Sequence, residues 1–551
     1  MKEMKTLSIE NEEYEVVDQK ARDEIANLYV NNISELKALT NLKAGDVVKT
    51  LGYYEVNDGG AGLYSIREKS ESDVEDAGAI HFVGSLVAEL IIKEVMNVKQ
   101  FGAKGDGKSN DTLPIQTCIN KCSNIYIPAG EYMVAAKGGN TYFDFLEGGI
   151  SIGSNKRIKL DENAYLKAIT NGYYYYRLIC VYHAENVIID GGHIYGDKET
   201  HTGSEASEFG HCLSIHESKN VIIRNCDIAY GFGDSIEISA DNSAISTSSK
   251  NVKIENCTLH DSRRQGISVI ASNDTIITGC EIYNISGIAP QSGIDIEANY
   301  VDNPVKNIVI ENCDIHDCAG ASINVTSATE NAIINNCNLY TIYVINSKNT
   351  RVNDCVINQL NNENKTPALI TNCTINVVSI FNEGKINIDN CIINERIISD
   401  NTGTETIIKN SNLNLIGSEH SSLIIIRTND SLFLDNCIFK FDKPITTIPA
   451  KKISIKNSLL IPQSVNLDSF QAYEFEFINN KIEGNSLYRL VHMINNSNNS
   501  FIVGNIFDVP AFQLLTGAPT QKILIANNVS NGNINTGVTG DNIITQNNIA
   551  L

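Results

Sequence analysis

The chain has 551 residues, 42% of them hydrophobic and 20% charged, and carries a net charge of −22. It is apolar enough to bury a sizeable core and is not a disordered chain. A polyanion of this kind repels phosphate backbones and anionic bilayers, which excludes nucleic acid and a membrane surface as partners; no apolar run approaches the ~18 residues of a membrane span.

Residues 1–45 stand apart. MKEMKTLSIENEEYEVVDQK has no apolar centre of the kind a secretory signal needs. EEYEVVDQKARDEIANLYVNNISELKAL mixes Ala, Glu, Lys and Leu as helices do, which predicts a partly helical arm, either a short coiled coil or a docking segment. Residues 46–97 predict a small β domain. GYYEVNDGGAGLYSI reads as strand, Gly-rich turn and strand, and AIHFVGSLVAELII supplies two more strands. Next, DGKSND reads as a glycine turn and a helix cap, because its acids lack the spacing of a calcium loop. The residues after Asp111 form a short amphipathic helix with Ile115, Cys118 and Ile119 on one face. IYIPAGEYMV then restarts strands.

From there the chain repeats. Short β-branched runs end in a polar residue and a cysteine: VIIRNC at Cys226, VKIENC at Cys257, TIITGC at Cys280, IVIENC at Cys313 and AIINNC at Cys337, continuing at Cys355, Cys373, Cys391 and Cys437. Their spacings are 31, 23, 33, 24, 18, 18, 18 and 46 residues. One structural slot revisited at such intervals is the mark of a solenoid. Each run alternates, as in Val252-Lys253-Ile254-Glu255-Asn256-Cys257, so one face turns inward. Stacked coils of this kind predict an all-β fold, a parallel β-helix. Its cysteines form an internal ladder of small inert thiols rather than disulfides or a zinc site. Asn beside the strands suits the turns.

FGAKGDGKSNDT, followed by IQ and then YIPAGEY, resembles the lead-in motif of the pectate-lyase-like right-handed β-helix superfamily, which includes phage tailspikes and polygalacturonase-type hydrolases. GYYEVNDGGAGLYSI resembles the small domain ahead of the helix in tailspikes. TLSIENEEYEVVDQKARDEI looks like the start of tail proteins from phages and prophages of Gram-positive bacteria. The resemblance implies a right-handed β-helix over 98–400, with further coils and a terminal cap or trimerisation region over 401–551. It also implies a homotrimer attached to a phage tail or baseplate through its N-terminal arm. A virion protein made in the bacterial cytoplasm and released by lysis needs no secretory signal.

The middle coils align on their aliphatics: His211-Cys212-Leu213-Ser214-Ile215, Asp234-Ser235-Ile236-Glu237-Ile238, Gln265-Gly266-Ile267-Ser268-Val269, Ser292-Gly293-Ile294-Asp295-Ile296 and Ala321-Ser322-Ile323-Asn324-Val325. Ser214, Glu237, Ser268, Asp295 and Asn324 form one outward column; His211, Asp234, Gln265, Ser292 and Ala321 form a second beside it. Two rungs separate Glu237 from Asp295, about 9–10 Å of backbone, near the upper end of the spacing for inverting glycoside hydrolysis. Asp234, Glu237 and Asp295 are therefore the candidate acid and base. GDSIEI resembles the Asp-rich strand of polygalacturonase-type enzymes, except that Gly233 stands where the family doubles the Asp, which removes a direct transfer of that mechanism. His211, His260, Arg263 and Arg264 are candidates to position or neutralise an acidic sugar. Glu297 ranks below Asp295 because alternation turns it the other way. Tyr174 and Tyr176, in the run Tyr173–Tyr176, can stack a sugar in a chain without Trp. Each residue also fits a plain role: a turn closure for Asp234, a solvated face for Glu237 and Asp295, a buried strand for the tyrosines. His193, Asp197, His201 and His211 fit no compact metal motif, so neither a metal nor another cofactor is expected. Taken with the resemblance, which implies a tailspike, these residues predict a protein that binds and degrades a bacterial surface polysaccharide by a glycosidase-type mechanism. The alternatives are a lyase or epimerase of the same fold and a non-catalytic receptor-binding fibre.

Overall fold

The computed structural model describes residues 6–9, 12–15, 29–139 without 77, 148–240, 247–417 without 301, 327 and 401, 423–463 without 444, 445, 448 and 449, 472–484, and shorter runs within 488–550. Of the predicted helical arm, Glu12–Glu15 is a strand antiparallel to Thr6–Ile9, and residues 16–28 lie outside the described residues. Helix is found at Ile33–Ala38, where the Asn32 side chain accepts the Glu35 N–H and closes the first turn. A five-stranded sheet follows, in the order Tyr29–Val30, Val47–Thr50, Leu63–Glu68, Leu86–Leu90, Ile80–Val83. The GYYEV segment is not the strand its aromatics suggest. The Asp58 carboxylate accepts N–H groups from Tyr53, Tyr54, Glu55 and Gly60, and so curls residues 52–60 into a loop.

Beyond Met96 the chain winds as a right-handed parallel β-helix. The helix Thr112–Lys121 closes its first end, with Ile115, Cys118 and Ile119 buried against the first coils. Asp111 precedes this helix, but its carboxylate accepts the Lys104 and Gly105 N–H groups instead of capping it. Strands stack in register: Val187 on Val221 on Val252, and Ile189 on Ile223 on Ile254, all inward. Each fully buried aliphatic contributes about 1.5–3 kcal/mol.

The corner after each such strand needs a left-handed residue. Asn225, Asn256, Asn312, Asn336, Asn372 and Asn390 supply it at φ between 47° and 57°. Asn tolerates this conformation, and its amide bonds the amide one rung below, as from Asn336 to Asn312 and from Asn390 to Asn372, both at 2.8 Å. The next residue turns inward, and there the nine repeat cysteines are buried and free. Towards the C-terminus the same slot passes to Ser411 and Ser458, then to Asn480, Asn505 and Asn528, whose amides bond one another inside the core.

Between residues 219 and 325 each coil has three strands, as in Lys219–Arg224, Asp227–Ala229 and Ile236–Ser239. From Asn338–Ile345 to Ile392–Ser399 the second and third strands fuse, and they separate again at Asn412–Leu415 and Ile424–Ile426. The coil then shrinks to the 18-residue cysteine spacing. The lost residues are the corner loops at 230–235, 261–266, 284–293 and 317–322. Among the described residues no helix is long and apolar enough to cross a membrane.

Candidate active site

The corner loops aim two outward columns at one another. Strand register stacks Ser214 on Glu237 on Ser268 on Asp295 on Asn324, and Arg177 on His211 one coil earlier. Backbone bonds from Cys212 to Asp234, from Ser235 to Gln265 and from Gly266 to Ser292 align the second column. Asp234, Glu237, Asp295, His211 and Arg264 therefore converge. His211 Nδ1 lies 3.3 Å from Asp234 Oδ2, and its Nε2 lies 3.9 Å from Glu237 Oε1.

The three carboxylates differ sharply in surroundings. Burial alone would push Glu237 up, but Arg177, His211, His216 and the Ser214 hydroxyl together hold it well below the usual carboxylate range. The Arg177 Nε and the Ser214 hydroxyl each donate to Glu237 Oε2 at 2.9 Å. Asp234 accepts the Ser268 hydroxyl at 2.6 Å, and the Arg264 guanidinium lies 3.4 Å away. Asp295 is pushed up to about 7, first by burial and then by the charge of Glu297, against the pull of Arg264. Gln265 Nε2 donates to its Oδ2 at 2.7 Å, while Oδ1 is buried and without a partner. One carboxyl is thus firmly ionised and another holds a proton near neutrality, the pattern that separates an acid from a base.

The other candidates fall elsewhere. Arg263 turns away from the carboxylates. Its guanidinium sits 4.1 Å over the Phe232 ring and donates to the Ser207 carbonyl at 2.8 Å, which pins the segment 205–209 beside the site. Glu208 of that segment lies 3.4 Å from Arg264. His260 belongs to a separate cluster on the second strand of the coil, 2.9 Å from Asp227 and 2.6 Å from Asp261. Glu297 is exposed just past its strand and acts on Asp295 by charge alone. Tyr176 is buried, donates to Asp197 and stacks at 5.5 Å on His201, so it offers no open platform. Tyr174 is half-buried and donates to the Ala206 carbonyl at 3.3 Å. Sequence reasoning missed Arg177 and His216, which meet at 2.7 Å. The signal was an arginine heading the apolar run RLICV, where a lone charge demands a buried partner. Among the described residues no group of three or more His, Cys, Asp and Glu side chains is placed to hold a metal.

Residues 95–144 match a family model described as rhamnogalacturonase A/epimerase, pectate lyase-like, and residues 242–396 match one described as right handed beta helix region. Two curated proteins of Bacillus subtilis (strain 168) are similar. The uncharacterized protein YclG is 27% identical over 229 residues, covering 37% of this chain and 38% of that one. The SPbeta prophage-derived uncharacterized protein YorA is 30% identical over 223 residues, covering 38% of each. The chain thus spans about two fifths of the length of these relatives. Alginate lyase 7 of Azotobacter vinelandii is 45% identical over 64 residues, 11% of this chain and 7% of that one. Among solved structures, tailspike protein gp49 of Acinetobacter baumannii bacteriophage Fri1, a capsular polysaccharide depolymerase, shows 14% identity and a TM-score of 0.47, covering 79% of this chain and 74% of that one. The A-module of the A. vinelandii mannuronan C-5 epimerase AlgE4 shows 14% identity and a TM-score of 0.38, covering 82% of this chain and 99% of that one. Behind a helix-capped opening whose residues 95–144 match the pectate-lyase-like model, the chain carries a right-handed parallel β-helix, matched by its own family model over residues 242–396.

Proposed function

We propose that this protein is a phage or prophage tailspike that binds and cleaves a bacterial surface polysaccharide by acid–base hydrolysis. The observation that carries the reading is the convergence of three carboxyls, with Asp295 raised to about 7, Glu237 held low, and Asp234 one column away accepting the Ser268 hydroxyl beside Arg264. Asp295 gives its proton to the glycosidic oxygen as the C–O bond breaks. Asp234 takes a proton from the water that attacks the anomeric carbon. Glu237, tied to Arg177 and Ser214, stays ionised and orients His211. Arg264 can exchange the half-exposed Glu208 side chain for the carboxylate of an acidic sugar while Arg263 keeps the 205–209 segment in place. The matched pectate-lyase-like opening supports a carbohydrate substrate. The prophage-derived relative supports a prophage origin; the proposal adds a place on the phage tail with residues 1–45 as the attachment arm.

His211 fits less well as the base of a lyase or epimerase. Its Nδ1 accepts the Asp234 N–H at 3.1 Å, so the neutral ring carries its proton on Nε2, where a base must be bare. The test is incubation of the purified protein with a panel of bacterial surface polysaccharides, following reducing ends and unsaturated-uronate absorbance together. Reducing ends without absorbance are expected. Absorbance would replace hydrolysis by elimination. Binding with neither signal would leave a receptor-binding fibre.

A further inference from the structure

One column of the second strands is built largely from rings. Register carries it through Lys167, Tyr195, Ala229, His260, Tyr283 and His316. Ala229 brings no ring, and Tyr230 from the adjoining corner fills the gap, edge-on to Tyr195 at 5.2 Å and to His260 at 5.8 Å. Beyond it His260, Tyr283 and His316 lie on one another, with 3° between successive planes. Rings stacked in that way cover each other's faces and turn their edges outward. Tyr195 and Tyr230 meet at 83° instead, so at least one of them keeps its faces clear of the other. There a pocket of about 310 Å³ opens, lined by both tyrosines with Met133, Ala168, Thr170 and Thr200. It stands at the small end of ligand-binding cavities, with room for about one or two sugar units.

Tyr230 is also the wrong residue for its backbone. The corner after this strand is left-handed in each coil: Asp261, Asn284 and Asp317 supply it at φ 54°, 55° and 51°, and Tyr230 at 59°. Asn and Asp tolerate that conformation, and a bulky ring is strained in it. A strained aromatic where the neighbouring coils use short polar side chains marks a position held for a ligand. The walls around it are fixed. The Tyr195 hydroxyl donates to Asp227 at 2.7 Å. Gly196 lets the following loop lie against Tyr230, because a Cβ there would strike the Tyr230 carbonyl. Buried Asp197 anchors that loop by accepting the Asn171 backbone N–H and side-chain amide, both at 3.0 Å, and the Tyr176 hydroxyl. Thr170 donates to Thr200 at 2.7 Å. Lys167 in the lining donates to Glu131 at 2.9 Å, so its charge is already met.

We infer that this pocket is a second, non-catalytic glycan site that takes a neutral pyranose by its apolar C–H face. A pyranose is apolar on its ring face and polar at its rim, and the pocket answers with tyrosine rings and threonine hydroxyls and no spare charge. The inference rests on the polysaccharide substrate of the proposed function and deepens it. Tyr230 and Asp234 lie on one corner loop, so a polymer gripped here is held one corner away from the carboxylates. Arg264 meets an acidic unit of the chain, and this pocket meets a neutral one.

The test uses the full chain carrying Asp295→Asn, which should hold a polysaccharide without cleaving it, and its retardation in gels containing each member of the polysaccharide panel. Three substitutions are added singly. Tyr230→Asn restores the residue type of the neighbouring corners, Thr200→Trp fills the pocket from an exposed position, and the control Tyr340→Asn removes an exposed tyrosine outside the pocket. On the polysaccharide that retards the parent, Tyr230→Asn and Thr200→Trp should each weaken binding about tenfold. Tyr340→Asn should leave it as it is, and Tyr230→Asn should melt no lower than its parent. Unchanged binding in both pocket variants would overturn the site. So would equal weakening by Tyr340→Asn, or a lower melting temperature for Tyr230→Asn, because the ring would then be serving the fold. A wild type that is retarded but cleaves nothing would overturn hydrolysis, and the same variants would still decide the pocket. A wild type that neither binds nor cleaves any member would overturn both.

Discussion

Asp295 joins two effects that are usually separated. As a general acid it must hold its proton, so activity should fall as pH rises through about 7. Asp295→Asn should lower kcat by about 10²–10⁴-fold and abolish that limb of the pH–rate profile, measured by reducing-end release. The same group burdens the fold. Its native pKa lies above the unfolded value near 3.9, so the folded state binds the extra proton between those values and loses stability as pH climbs from one to the other. Asp295→Asn should therefore raise the melting temperature at pH 8 and change it little at pH 4, an inactive variant more stable than its parent. Arg177 behaves oppositely. It is fully buried against Glu237, and Arg177→Met leaves a buried carboxylate unpaired, at a cost of about 3–5 kcal/mol in urea unfolding. Register alone put Asp234, Glu237 and Asp295 into two adjoining columns before any coordinates. Arg177 and His216 were harder to read, because they reach the cluster from two separate strands, Tyr175–Tyr182 and His211–His216, and an arginine heading an apolar run signals a buried partner without naming it.

At the scale of the element, the second strand of each coil carries its own charge pattern. Asp227 accepts from Tyr195 and bridges His193 and His260, while Tyr283 stacks between His260 and His316 at 5.0 and 5.4 Å. Burial alone would lower the His260 imidazole, but bonds from Asp227 and Asp261 raise it, and Asp317 raises His316. Raised imidazoles contribute stability that is complete below the ordinary value near 6.5 and is lost as pH rises through the shifted one. Asp227→Asn should thus cost about 1–3 kcal/mol at pH 5.5 and less at pH 8.5, read as a difference in urea midpoints. His260 was placed near the site by its position in sequence, and the structure separates them because the corner loop 261–266 intervenes. The strand predicted at GYYEV failed for a related reason: aromatics favour strands, but one carboxylate accepting four N–H groups overrides that preference locally.

Over the whole molecule, repetition made the architecture readable. A cysteine slot recurring every 18 residues leaves room for one coil and nothing else, and the longer intervals mark the coils with loops to spare for chemistry. The slot also predicts reactivity. Thirteen of the 14 cysteines are buried, and Cys318 is partly exposed. A thiol reagent should titrate at most one group in the native protein and all 14 in denaturant. More than one fast-reacting native thiol would contradict an internal ladder.

The helix over the first coils has a consequence for where chemistry is placed. A stack whose layers touch only their neighbours frays from its ends, and amide exchange should report depth from the nearer end. The strand Lys219–Arg224, whose coil carries Asp234 and Glu237, is the fifth of nineteen in its column among the described residues, counting from Met96–Asn97. That would be shallow if the first end were open. Sealed by Thr112–Lys121, it becomes a clamped end, so the site's coils should exchange as slowly as those at mid-stack. A helix far from any reacting atom would then set how still the carboxylates are held.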